Sequence, residues 1–85
     1  MIIRFKPSFV REFKKLPVEV REEALERIES FEDRGNHQKL KVHKLKGALK
    51  NFYSFSVTYS HRVVFEYETK EVPVLIAIGD HNIYK

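Results

Sequence analysis

The sequence predicts a small α+β domain: an N-terminal strand and a helix hairpin packed on one face of an antiparallel sheet that ends in a three-strand meander. Three observations lead there. Apolar residues recur at helical spacing between Phe9 and Phe31. From Asn51 onward the pattern switches to period two. The change of period falls across a basic, glycine-containing connector, so helices and strands are segregated along the chain rather than alternating. With 85 residues, positions 1–85 form one domain.

Residues 2–6 alternate weakly, with Ile3 and Phe5 on one side and Arg4 and Lys6 on the other, and read as a first strand. Phe9, Phe13 and Leu16 then predict a short amphipathic helix over 8–15, capped by Ser8. A helix this short needs tertiary packing to persist. Pro17 breaks it and suits the first turn of a second helix over 18–34. There Val20, Ala24, Leu25, Ile28 and Phe31 share a face, and Glu19, Glu22, Glu23 and Glu26 crowd the early turns, where the helix dipole favours acids. Glu23 and Arg27 make a supportive i,i+4 pair. Gly35-Asn36 is the expected C-terminal stop.

Residues 36–51 read as a basic connector pinned by Leu40, Val42 and Leu45, with Gly47 at a tight bend. In the next strand Tyr53, Phe55, Val57 and Tyr59 are large, while Ser54, Ser56 and Thr58 are small and polar. Ser60 marks a reversal. Val63, Phe65 and Tyr67 then alternate with Arg62, Val64, Glu66 and Glu68, and a turn at 69–71 leads to a β-branched, apolar last strand over 72–79. Pro73 is tolerable near its beginning. The odd positions of the first two meander strands form a bulky face for the helices to cover. The even positions form a small, polar face that reads as a shallow groove with Arg62 projecting into it.

There is no cysteine, which excludes a disulfide framework and a thiolate zinc site. No apolar run approaches membrane-spanning length and the start has no long apolar h-region, so the expected location is the cytoplasm, with no membrane partner. The net charge of +4 conceals an uneven distribution. Between Gly35 and Phe65 there is no acid, and Lys39, Lys41, Lys44, Lys46, Lys50 and Arg62 make that interval +6 while the remainder is −2. Such a segment attracts phosphate backbones. A solvated lysine-rich loop is the bland alternative.

Four stretches in order carry a more specific signal: HKLKG at 43–47, FYSFSV at 52–57, HRVVFEY at 61–67 and IGDHNIY at 78–84. They resemble the RelE/ParE toxin superfamily of type II toxin–antitoxin systems, over essentially the whole chain and closest to its histidine-bearing, YafQ-like branch. The resemblance implies a toxin that cuts mRNA in the ribosomal A site without a metal or other cofactor. It also implies a cognate antitoxin as partner, laid over the basic groove or the helix hairpin, and operator DNA bound only through that antitoxin.

By the same resemblance His43, Arg62, His81 and Tyr84 fall on active-site positions: His43 and His81 as an acid–base pair, Arg62 at the scissile phosphate, Tyr84 as a nucleotide-stacking aromatic. The residue types suit the chemistry, because histidine titrates near neutrality and arginine grips two phosphate oxygens without losing its charge. Lys44 and Lys46, with Lys41 and Lys50, are the expected phosphate-binding set. Tyr84 sits one residue nearer to His81 than its YafQ counterpart does, and no clear counterpart exists for an acid some members use, although Asp80 lies close by. Two alternatives stay open: a ParE-like gyrase inhibitor needing no catalytic set, and an inactive antitoxin-binding relative. His37 and His61 read as surface residues, and no ligand spacing supports a zinc site.

Overall fold

A computed structural model describes residues 1–80. Two helices pack on one face of a five-stranded sheet. In chain order the elements are β1 (Arg4–Phe5), α1 (Pro7–Lys14), α2 (Val18–Phe31), β2 (His43–Lys44), β3 (Tyr53–Ser56), β4 (Arg62–Thr69) and β5 (Val72–Gly79). The sheet order is β1-β5-β4-β3-β2, with β1 parallel to β5 and every other pair antiparallel. Among the described residues no helix is long and apolar enough to cross a membrane.

The expected meander is present, and it gains a fifth strand. Part of the connector, His43–Lys44, pairs with β3 and extends the sheet. Helical turns on either side, Arg34–Asn36 and Gly47–Leu49, take up the rest. Gly47 sits at φ +70, a backbone region where other side chains clash, and starts the bend that returns the chain to β3.

The α1 helix begins at Pro7, whose missing N–H costs nothing at that position. Ser8 is not its cap. Its Oγ donates instead to the Ile76 carbonyl at 2.7 Å. One turn on, Glu12 Oε1 accepts the Ile78 N–H at 3.2 Å. β1 covers β5 only opposite Val74 and Leu75, so the upper edge of β5 would otherwise carry unpaired backbone groups. Two polar side chains of α1 complete the ladder there.

The α2 helix ends at Phe31, earlier than the sequence suggests. Its exposed carbonyls are met by side chains: Asn36 Nδ2 donates to Ser30 O at 2.9 Å and His37 Nε2 to Phe31 O at 2.9 Å. Gly35 is not the stop; it lies in the following turn, where its N–H is taken by Asp33 Oδ1. His37 is thus half-buried structure rather than free surface, and its ring stacks on Phe31 at 4.6 Å.

The core lies between helices and sheet. Phe31 is its centre, stacked on Phe55 and edge-on to Phe65, with ring centroids 4.6 and 4.8 Å away. Ala24, Ile28, Leu40, Val63 and Leu75 close round it. Leu25, expected on that face, is largely exposed.

In β5, Leu75 pairs with Phe65 but Ala77 with Val64, so Ile76 is an extra residue, a bulge. It resets the parity, so that Leu75 and Ile78 both face the helices. β3 is shorter than its alternation suggests. It stops at Ser56, and 57–61 form a turn closed by bonds from Val57 N and Thr58 N to His61 O. Tyr59 therefore leaves the core face and stands 95% exposed at the hairpin tip.

Candidate functional site

The sheet face turned away from the helices carries the candidate residues. Registers place His43 beside Ser54, and Ser54 beside Val64 and then Ala77. The next row holds Ser56, Arg62 and Gly79. Directly paired residues point the same way, so His43 and Arg62 share this face. Two strand spacings and two residues of rise put their Cα atoms about 12 Å apart, a gap that side chains of this length bridge from both sides. Between them lies an open depression of ≈ 490 Å³ lined by His43, Leu45, Lys46, Leu49 and Arg62.

His43 is exposed, and its Nδ1 lies 2.8 Å from the Lys41 carbonyl. A carbonyl only accepts, so Nδ1 carries the hydrogen and Nε2 is the atom left to exchange a proton. The chain geometry that delivers this carbonyl is specific. Val42 N bonds to His37 O and Lys41 N to Gln38 O, which is the six-to-one and five-to-two pattern of a Schellman cap. Lys41 takes the left-handed position at φ 61, where glycine is usual.

Arg62 is held from one end. Its Nη1 donates to the carbonyls of Thr58, Tyr59 and His61 at 2.9, 3.2 and 3.2 Å. No ion pair with Glu66 forms; the pairs among the described residues are Arg4–Glu68, Arg27–Glu23 and Arg34–Glu71. The Nε–Nη2 edge takes no acceptor among the described residues. That edge is the fork that engages two oxygens of a phosphate or carboxylate at once.

The four lysines separate. Lys46 lines the depression. Lys41, with Lys39, lines a second cleft of ≈ 440 Å³ on the other side of Arg62. Lys44 pairs across from Tyr53 and so belongs to the opposite, helix-facing side of the sheet edge. Lys50 is exposed and lines neither cleft. The even face is also less of an empty groove than its small residues suggest: Ser54 and Val64 are both buried, and Thr58 belongs to the turn. There Thr58 Oγ1 accepts from Ser60 N and His61 N and meets His61 Nδ1 at 3.0 Å, which gives His61 a structural role.

His81 and Tyr84 lie outside the described residues. Among the described residues no three His, Cys, Asp or Glu side chains gather to hold a metal ion. The sequence pattern counts Lys39 only toward the positive field and does not single out Leu49 or Tyr59 as site residues. For Tyr59 the available signal was a bulky aromatic one residue before a predicted reversal.

Neither a protein-family model nor a curated protein matches the sequence. Solved structures do match the fold. A chain of the toxin–antitoxin complex RelBE2 from Mycobacterium tuberculosis superposes with TM-score 0.77 at 16% identity, over 94% of this chain and 96% of the other. One from the RelB–RelE antitoxin–toxin complex of Methanococcus jannaschii gives 0.75 at 22%, over 96% and 95%. The YoeB/ParE toxin from Agrobacterium tumefaciens gives 0.68 at 18%, over 95% and 99%. Over nearly its whole length, then, the chain has the fold of the RelE/ParE toxins.

Proposed function

We propose that this protein is the toxin of a type II toxin–antitoxin system and that it cleaves mRNA in the ribosomal A site. The observation that carries the reading is the pairing, in one depression, of His43 and Arg62, whose Nε2 and Nε–Nη2 edge take no partner among the described residues. Cleavage without a metal needs a group to take the 2′-hydroxyl proton, a cation on the phosphorane, and an acid for the leaving 5′-oxygen. Removal of the proton lets the 2′-oxygen attack phosphorus. The bond to the 5′-oxygen breaks as the acid protonates that oxygen, leaving a 2′,3′-cyclic phosphate and a 5′-hydroxyl.

Arg62 is the phosphate cation, and Lys46 adds to its field. The bond from Nδ1 to the Lys41 carbonyl fixes His43 Nε2 as its working atom, whichever direction the proton travels. His81 is assigned the complementary proton transfer and Tyr84 the nucleotide contact, both on the strength of the sequence resemblance. The partner is a cognate antitoxin whose acidic or amphipathic segment covers the cationic face, and operator DNA is reached only through it. A cytoplasmic location follows from a ribosomal target.

The test maps mRNA 5′ ends after purified protein is added to translating ribosomes, beside His43→Gln, Arg62→Ala and His81→Gln. The expected result is cutting within A-site codons, at least a hundredfold slower in Arg62→Ala and in each histidine variant. Intact mRNA with undisturbed translation would overturn the proposal. Gyrase-dependent DNA breaks in expressing cells would replace it with the binding-poison reading.

A further inference from the structure

Among the described residues Tyr59 is the most exposed large hydrophobic, at 95%. It does not stand on a loose loop. The turn beneath it is closed by two backbone bonds to His61 O and two bonds to Thr58 Oγ1. Arg62 Nη1 adds a fifth tie by donating to the carbonyl of Tyr59 itself at 3.2 Å. The backbone that carries the ring is therefore held next to the guanidinium that holds the candidate scissile phosphate. Beside it runs the second cleft, where Tyr59 and Arg62 meet Lys39, Lys41 and Ser56, and where the Glu23 carboxylate is paired with Arg27 at 3.0 Å. An aromatic face on a rigid support, interleaved with cations along a groove, is the arrangement that binds single-stranded nucleic acid by stacking bases and tracking phosphates.

We propose that Tyr59 is a stacking platform for a nucleobase flanking the cleaved bond, and that Lys39 and Lys41 hold the phosphate of that nucleotide. The inference rests on the RNA-cleaving reading of the adjoining depression and extends its substrate contacts to a second cleft. It makes Tyr59 a positioning residue that touches substrate away from the reacting atoms. The geometry explains why an exposed tyrosine is spent at a hairpin tip, where a glycine or asparagine would serve the turn alone.

The experiment is equilibrium binding of a short, labelled single-stranded RNA, methylated at its 2′-oxygens so that it cannot be cut, to the full chain. Wild type is compared with Tyr59→Ala and Tyr59→Phe, and the oligonucleotide is scanned with one abasic position at a time. Tyr59→Ala should lose about tenfold in affinity, and Tyr59→Phe, which keeps the ring, should stay within about twofold of wild type. One abasic position should cost the wild type a similar factor and cost Tyr59→Ala nothing further. Equal binding by wild type and Tyr59→Ala, or equal losses for Ala and Phe, would overturn the platform alone. Failure of the wild type to bind RNA would overturn the platform, while the cleavage reading is decided separately by the mapped mRNA ends on ribosomes. Unchanged RNA affinity in Tyr59→Ala with weakened antitoxin binding would make Tyr59 a protein contact, which also overturns the proposal. The side chain is outside the core, so each variant should melt with the wild type.

Discussion

Replacing Arg62 by lysine keeps the charge and removes the fork, which makes it the sharpest test of how the site works. In the folded protein one edge of the guanidinium is occupied by three turn carbonyls at 2.9–3.2 Å and the other takes no acceptor among the described residues. A lysine ammonium reaches either the turn or the phosphate, but not both. One Nη1 donor shared among half-exposed carbonyls contributes about 1 kcal/mol net. For a domain of this size that is a fall in Tm of roughly 4–8 °C. The catalytic loss is larger. Removing one preorganised donor from a developing oxyanion typically costs about 10²–10³ in kcat, or roughly 3–4 kcal/mol. Lysine retains the Coulombic attraction, so the expected loss lies near the lower figure, about a hundredfold, with KM changed by less than about threefold. The assay is single-turnover cleavage of mRNA on programmed ribosomes, run well below the melting temperature of both proteins. A variant that cleaves within threefold of wild type would show that Arg62 acts only as a point charge, or not at all. A variant that loses activity only in proportion to its unfolded fraction would show that the turn contacts are its whole purpose.

Other outcomes follow from the same geometry. Glu12→Ala strands the Ile78 N–H and should cost about 1–2 kcal/mol in denaturant unfolding, whereas Glu12→Gln keeps an acceptor and should be close to neutral; equal losses would deny the edge-pairing role. Lys41→Gly relieves the left-handed strain, worth about 1–2 kcal/mol, against a smaller entropic loss, so a net gain of about 0.5–1 kcal/mol is expected by the same measurement. Burial holds the Tyr67 hydroxyl above its ordinary value, offset partly by Arg34 and reinforced by Tyr53. The folded state then keeps its proton longer than the unfolded chain, so this contribution is complete below about pH 10 and is lost as pH rises through the elevated folded value. Thermal melts should show the decline in wild type and a shallower one in Tyr67→Phe.

Much of this was legible in the residues, because it depends on local periodicity. The helical spacing of Phe9, Phe13, Ala24, Ile28 and Phe31 and the alternation through Tyr53 to Tyr67 predict two helices over a meander, as found. The same alternation assigns Arg62 to the face away from the helices, since parity in a strand is covalent. Sequence also locates the cations, because charge needs no fold to be counted.

Tertiary structure decided what local pattern leaves degenerate. His43–Lys44 is too short to announce itself as a strand and becomes one only because β3 offers an unpaired edge. That pairing turns His43 toward Arg62 and Lys44 away, a distinction that spacing within a loop does not contain. Ser8 and Glu12 resemble ordinary helix residues until the exposed edge of β5 supplies their partners. The bulge at Ile76 shows only in the pairing of β5 with β4, and no composition rule forecasts it. The sequence by itself thus determined the two helices and the meander strands, the layered α+β class and the sign of the field at the site. Which polar groups meet was decided by long-range pairing, whose energetics depend on neighbours that the chain brings together only after it folds.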